Sequence, residues 1–169
     1  LFDSYHLYHL PQFDPVIDLL SKDGRFEIFL STCSENKKEE IDICLSILKS
    51  KPGKLIFADS EIERIKKIKK LDLDVFICGW SRYPISQFIS EKVLVGMIYH
   101  GIGVKPSYWR DNSERLNIRF VEGQYRIDQL RRKGVKTKLE LTGFTKLDPL
   151  FNKSNNNLSQ LKKSLDLNL

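Results

Sequence analysis

The feature that most constrains this chain is a regular exchange of short apolar runs with stretches of helical spacing, sustained to about Phe151. Leu1 to His9 predicts a first strand, Pro11 to Lys22 a helix stopped by Gly24, and Phe26 to Thr32 a second strand. Ser34 is then the expected N-cap of a helix over Glu35 to Lys49, in which Ile41, Leu45 and Leu48 recur on one face and Pro52-Gly53 closes the unit. Lys54 to Ala58 reads as strand three, Ile62 to Lys70 as a lysine-rich helix, and Val75 to Cys78 as an apolar strand. A short helix near Ile85 to Ile89 leads into another apolar strand, Val93 to Tyr99. A polar, aromatic loop runs from Gly101 to Asn117; Arg119 to Val121 is the next strand, Gln124 to Lys133 a helix ended by Gly134, and Thr137 to Gly143 the last strand.

Near-continuous apolar strands, as opposed to alternating ones, are those of a parallel sheet covered on both faces. The expected fold is therefore α/β, a Rossmann-like doubly wound and mainly parallel sheet of six or seven strands, with its ligands beyond the carboxyl ends of the strands. Residues 1–151 form this domain. From Asn152 to Leu169 the composition turns polar, and this stretch reads as a linker leading to a further domain that the 169-residue chain does not contain.

Charge is unevenly spread. The chain carries a net +6, yet the balance up to residue 104 is slightly negative, so the positive field belongs to the last third. A basic region of this kind draws phosphate-bearing substrates, an anionic membrane face or nucleic acid. Nucleic acid is not expected, because the cations are interspersed with Asp111, Glu114, Glu122 and Asp128 and no RNA-binding aromatic motif accompanies them. The longest apolar stretch, Val93 to Val104, is interrupted by Tyr99 and His100 and is shorter than the roughly 20 residues of a spanning helix. Cys33, Cys44 and Cys78 form no Cys-x-x-Cys pair, a usage that points to a reducing, cytoplasmic setting; contact with a membrane, at its surface only, is an expectation carried by the lysine-rich helix. The helix "ERIKKIKK", with Ile62, Ile65 and Ile68 along one side, reads as a surface helix packed through its isoleucines, or else as the element that meets anionic lipid.

His100 is the candidate for chemistry. It directly follows a buried strand, its imidazole exchanges a proton near neutral pH, and Gly101 and Gly103 let a ligand approach the backbone. Lys105 and Arg110 on the same loop are placed to neutralise phosphate charge. His6 and His9 are three apart; on a strand they face opposite sides and cannot share a metal, but either reaches the cleft from the end of the first strand. No metal and no cofactor is expected. Gly101-Ile102-Gly103 lacks the third glycine of a dinucleotide fingerprint, and there is no Walker A loop.

Three segments, "MIYHGIGVKPSYW", "FVEGQYRIDQLRRKG" and "LELTGFTKLDPLF", occur in an order and spacing that resembles the CDP-glycerol glycerophosphotransferase family, the teichoic acid primases and polymerases. The resemblance rests on His100-Gly101 at a strand end, on Glu122-Gly123 through Leu130, and on the Gly143, Lys146, Asp148 signature. It implies the N-terminal, acceptor-side half of a GT-B enzyme. His100 would deprotonate an acceptor hydroxyl, and the nucleotide-activated donor, CDP-glycerol, would be held mainly by a second domain. The acceptor would be a lipid-linked polyol or glycan, and Gly143, Lys146 and Asp148 would line the cleft. The family's frequent His-Gly-Thr is His-Gly-Ile here, which bears on substrate more than on fold. The "GFTKLD" run is also similar to one in nucleotide-sugar epimerases of the same architecture, so a nucleotide-sugar enzyme is the alternative, with a non-catalytic binding domain the third reading.

Overall fold

The computed structural model describes residues 1–80, 85–103 and 115–151. Seven strands form one sheet: β1 (Phe2–Ser4), β2 (Phe29–Thr32), β3 (Lys54–Ile56), β4 (Val75–Cys78), β5 (Leu94–Ile98), β6 (Ile118–Val121) and β7 (Lys138–Leu141). Their order is β3-β2-β1-β4-β5-β6-β7, and every pairing is parallel. The helices are α1 (Leu10–Leu20), α2 (Lys38–Lys49), α3 (Glu61–Lys69), α4 (Gln124–Arg132) and the single turn α5 (Asp148–Phe151). This is the Rossmann-like doubly wound sheet expected from the alternation.

Side chains of alternate strand positions fill two apolar layers. On one face, Phe2, Leu30 and Ile98 meet Phe13 and Ile17 of α1 and Leu48 of α2. On the other, Phe76, Val95, Met97 and Val121 meet Ile68 of α3 and Leu130 of α4. Each such fully buried side chain contributes about 1.5–3 kcal/mol. The apolar strands β4 and β5 are legible as strands because both of their faces lie under these layers.

Three expectations need correction. The first strand does not reach His9: it ends at Ser4, and Leu7–His9 is a 3-10 turn running into α1. Ser34 caps no helix. Its hydroxyl donates instead to the Ala58 carbonyl at 2.8 Å, and α2 begins at Lys38 behind Lys37. The α3 helix is not packed simply by its isoleucines, for Ile62 is 68% exposed while Arg64 is wholly buried. Ser60 caps α3, accepting from the Glu63 N–H at 3.3 Å.

Arg64 is buried because Asp3 is. Asp3 sits on the central strand opposite Ser31 of β2, on the face turned towards α3. The Arg64 guanidinium donates to the Asp3 carboxylate at 2.5 Å, to Ser31 Oγ at 2.7 Å and to both oxygens of Glu61, and it lies 4.9 Å over the Phe88 ring. Glu61 in turn accepts from the Ser34 N–H at 3.1 Å. Burial pushes the Glu61 carboxyl up, but the hydrogen bond and charge of Arg64 outweigh it and hold the group below its usual value.

Breaking a buried pair leaves a charge without compensation, so Arg64→Ala should lose about 3–5 kcal/mol in urea unfolding, far more than truncation of an exposed arginine. Because the Glu61 pKa is lowered by folding, its contribution is complete above the unfolded carboxylate range, about 4.3, and is lost as pH falls through the folded value. Unfolding curves of the native chain and Glu61→Gln should therefore converge on acidification. Parallel curves down to strongly acidic pH would contradict the assignment.

Candidate functional site

Strand order sets where a ligand can bind. From β1 the chain winds through β2 to β3 on one side, and β4 then returns to the other side of β1, so the winding reverses between β1 and β4. Ligands of doubly wound sheets occupy the crevice beyond the carboxyl ends at this reversal. Here that position is filled by the segment after β1, Tyr5 to His9, by Gly79 and Trp80 after β4, and by His100 after the neighbouring β5.

All three histidines of the chain meet there. The rings of His6 and His9 are 5.7 Å apart and those of His9 and His100 5.0 Å apart. Tyr8 stacks on His6 at 4.9 Å and lies 5.0 Å from His100, while Trp80 lies 5.7 Å from His6 and edge-on to Tyr5 at 5.2 Å. The 3-10 turn makes this cluster: on a strand His6 and His9 would have diverged. The described residues bring no three His, Cys, Asp or Glu side chains together as a metal-binding group.

Each histidine is held differently. His100 Nδ1 lies 2.9 Å from the Gly79 carbonyl oxygen, which can only accept; Nδ1 therefore carries the proton, and Nε2 is the basic nitrogen of the neutral ring. His6 Nδ1 is 3.2 Å from Glu40 of α2, whose same oxygen accepts the Leu7 N–H at 2.9 Å, so the turn after β1 is tethered to that helix. His9 is fully buried. Burial first, then the charges of His100 and His6, lower its pKa to about 2, so it stays neutral at physiological pH.

The backbone beside His100 is also anchored. Arg126 of α4 donates to the Gly103 carbonyl at 2.7 Å, to Glu122 at 2.8 Å and to Gln129 at 2.7 Å, and its guanidinium lies 5.8 Å from the Tyr99 ring. The Tyr99 hydroxyl accepts from Arg119 of β6 at 3.2 Å. Gly101 and Gly103 are thus the start of a fixed path away from His100.

Of the other expected residues, Gly143, Lys146 and Asp148 stand beyond the carboxyl end of the edge strand β7, at the same end of the sheet as the histidines. Gly143 takes a left-handed backbone (φ +81), and Lys146 and Asp148 are exposed. The segment between them reaches the site through Thr145, whose hydroxyl donates to the Gln12 carbonyl of α1 at 2.7 Å. Lys105 and Arg110 lie outside the described residues. Sequence reasoning did not single out Tyr8, Gln12, Gly79, Trp80 or Arg126; the signal for the first four was the adjacency of β1 and β4, which only the sheet order supplies.

Compared with known proteins, the chain matches no family model, no curated protein and no solved structure at a significant level. The described residues also contain no helix long and apolar enough to cross a membrane.

Gly79 allows β4 to pass directly over the cluster. A Cβ there would come 2.8 Å from His9 Cγ and 3.1 Å from Gln12 Nε2, both of them fully buried side chains. Gly79→Ala should accordingly cost about 1–3 kcal/mol and shift the histidine ring resonances. At Gly24 an added Cβ meets nothing within 4 Å, and Gly24→Ala should stay within about 0.5 kcal/mol of the parent. Equal melting temperatures for the two variants would contradict the packing described.

Proposed function

We propose that this chain is the acceptor-side domain of a CDP-glycerol:glycerophosphotransferase-like enzyme of GT-B architecture, in which His100 is the general base. The observation that carries the reading is His100 itself: a histidine at the switch point of a parallel sheet, whose Nδ1 faces a backbone carbonyl, so that Nε2 is the unprotonated nitrogen of the neutral ring. The three sequence segments that resemble the glycerophosphotransferases support the choice of substrate, since the histidine they share is this one.

In the proposed reaction, Nε2 takes the proton of an acceptor hydroxyl as its oxygen attacks the β-phosphorus of CDP-glycerol. A new phosphorus–oxygen bond forms, the bond from that phosphorus to the bridging oxygen breaks, and its electron pair leaves on CMP. The Gly79 carbonyl stabilises the imidazolium through Nδ1, the same service a carboxylate gives in a serine hydrolase. Lys105 and Arg110 are proposed to offset phosphate charge. The donor's nucleotide would sit on a second domain. The acceptor would be a polyol or glycan on a lipid carrier, met at the cytoplasmic face of a membrane whose anionic surface the lysines of α3 would favour.

A positioned base contributes roughly two to four orders of magnitude, so in the proposed full-length enzyme His100→Ala should lower turnover of radiolabelled CDP-glycerol by about that factor, with only a modest fall in melting temperature from the lost contact to Gly79. Near-normal turnover, or loss of activity only in step with unfolding, would refute the assignment. Transfer from a UDP-sugar in place of CDP-glycerol would instead favour the nucleotide-sugar reading.

A further inference from the structure

Beneath the histidine cluster lie buried polar atoms that nothing else among the described residues uses. His9 Nδ1 accepts the His6 N–H at 3.5 Å, so the proton of the neutral ring resides on Nε2, and that N–H has no hydrogen-bond partner among the described residues. Gln12 lies three residues on, on the same side of the chain as it enters α1. It too is fully buried, with both its amide oxygen and its amide nitrogen unpartnered. Buried polar groups are almost always paired, and these two adjacent exceptions sit at a topological switch point, where ligands of such sheets bind.

We propose that the His9 Nε2–H and the Gln12 amide form a hydroxyl-binding floor, which holds a polyol hydroxyl of the acceptor beside His100. The inference rests on the acceptor-domain reading above and adds to it the residues that select the substrate. The chemistry of the set favours a hydroxyl over a phosphate. A hydroxyl both donates and accepts, as the Gln12 amide does, and a neutral imidazole donor matches its lone pair. The aromatic faces of Tyr8 and Trp80, partly exposed above the floor, suit the C–H edges of a polyol or sugar. The His9 and His100 rings lie 5.0 Å apart, which keeps a hydroxyl bound at His9 close to the proposed base.

The test uses the whole chain with ¹⁵N-labelled histidine side chains and glycerophosphoglycerol as probe, with inorganic phosphate as control. His9 should show the Nε2–H tautomer and should not titrate between mildly acidic and neutral pH. Millimolar glycerophosphoglycerol should shift the His9 Nε2 resonance and slow exchange of its proton, while phosphate at equal concentration should not. His9→Phe and Gln12→Leu should each weaken probe binding about tenfold or more. An Nδ1–H tautomer at His9, a His9 signal untouched by bound probe, equal effects of phosphate, or no binding to the native chain would each overturn the proposal. Because the native spectra decide these points, a variant that fails to fold does not remove the test. A hexose that binds with the same dependence on His9, where glycerophosphoglycerol does not, would sustain the floor and dismiss the glycerophosphotransferase reading.

Discussion

The buried pair of Asp3 and Arg64 is the interaction on which the rest of the structure depends. Asp3 is a carboxylate in the middle of the sheet with no exposure to water, and such a charge is tolerated only when paired and hydrogen-bonded. Arg64 meets that need and reaches further, joining β1, β2 and α3 through Asp3, Ser31 and Glu61, and through Glu61 the backbone after β2. A well-packed apolar replacement of the whole network need not be less stable. What the charges supply is register: a shift of β1 by one residue would carry Asp3 into the apolar layer of Phe13 and Ile17.

That register decides where β1 delivers its carboxyl end. The histidine cluster is built at that end from elements that are each held in place separately. Glu40 tethers the turn of His6 to α2, the Gly79 carbonyl orients His100, and Arg126 holds the Gly103 backbone to α4. Thr145 draws the segment after β7 onto Gln12. These four contacts come from both faces of the sheet and from strands far apart in sequence, so the histidine cluster is set by the fold as a whole.

Much of the architecture was legible in the residues, and the reason is physical. The runs Val75–Cys78 and Leu94–Ile98 are apolar throughout, and past their exposed first residues, Val75 and Leu94, they lie largely buried in the sheet, the environment in which near-continuous apolar strands occur. The limits of β1 were not legible: Tyr5 to His9 is rich in aromatic residues, which favour strands, and the rings that suggested an extended chain serve as a cluster at the end of one. Arg64 was hidden inside a lysine-rich helix whose local pattern is that of a solvated face; its partner is 61 residues earlier, and only the fold brings the two together. His100 was visible from its place after a buried strand. The convergence of His6 and His9 upon it was not, because it depends on β4 lying next to β1.

The central claim is that His100, oriented by Gly79, acts as a base at the switch point of the sheet. If the proposed function holds, the most direct measurement is the pH dependence of kcat/KM for glycerol phosphate transfer by the native protein and by its His100→Gln form, which keeps a polar side chain but cannot take a proton. The account predicts that the native enzyme loses activity on acidification along a single-proton limb, and that this limb disappears in the variant while a low, pH-independent rate remains. The same acid limb in both enzymes would contradict it.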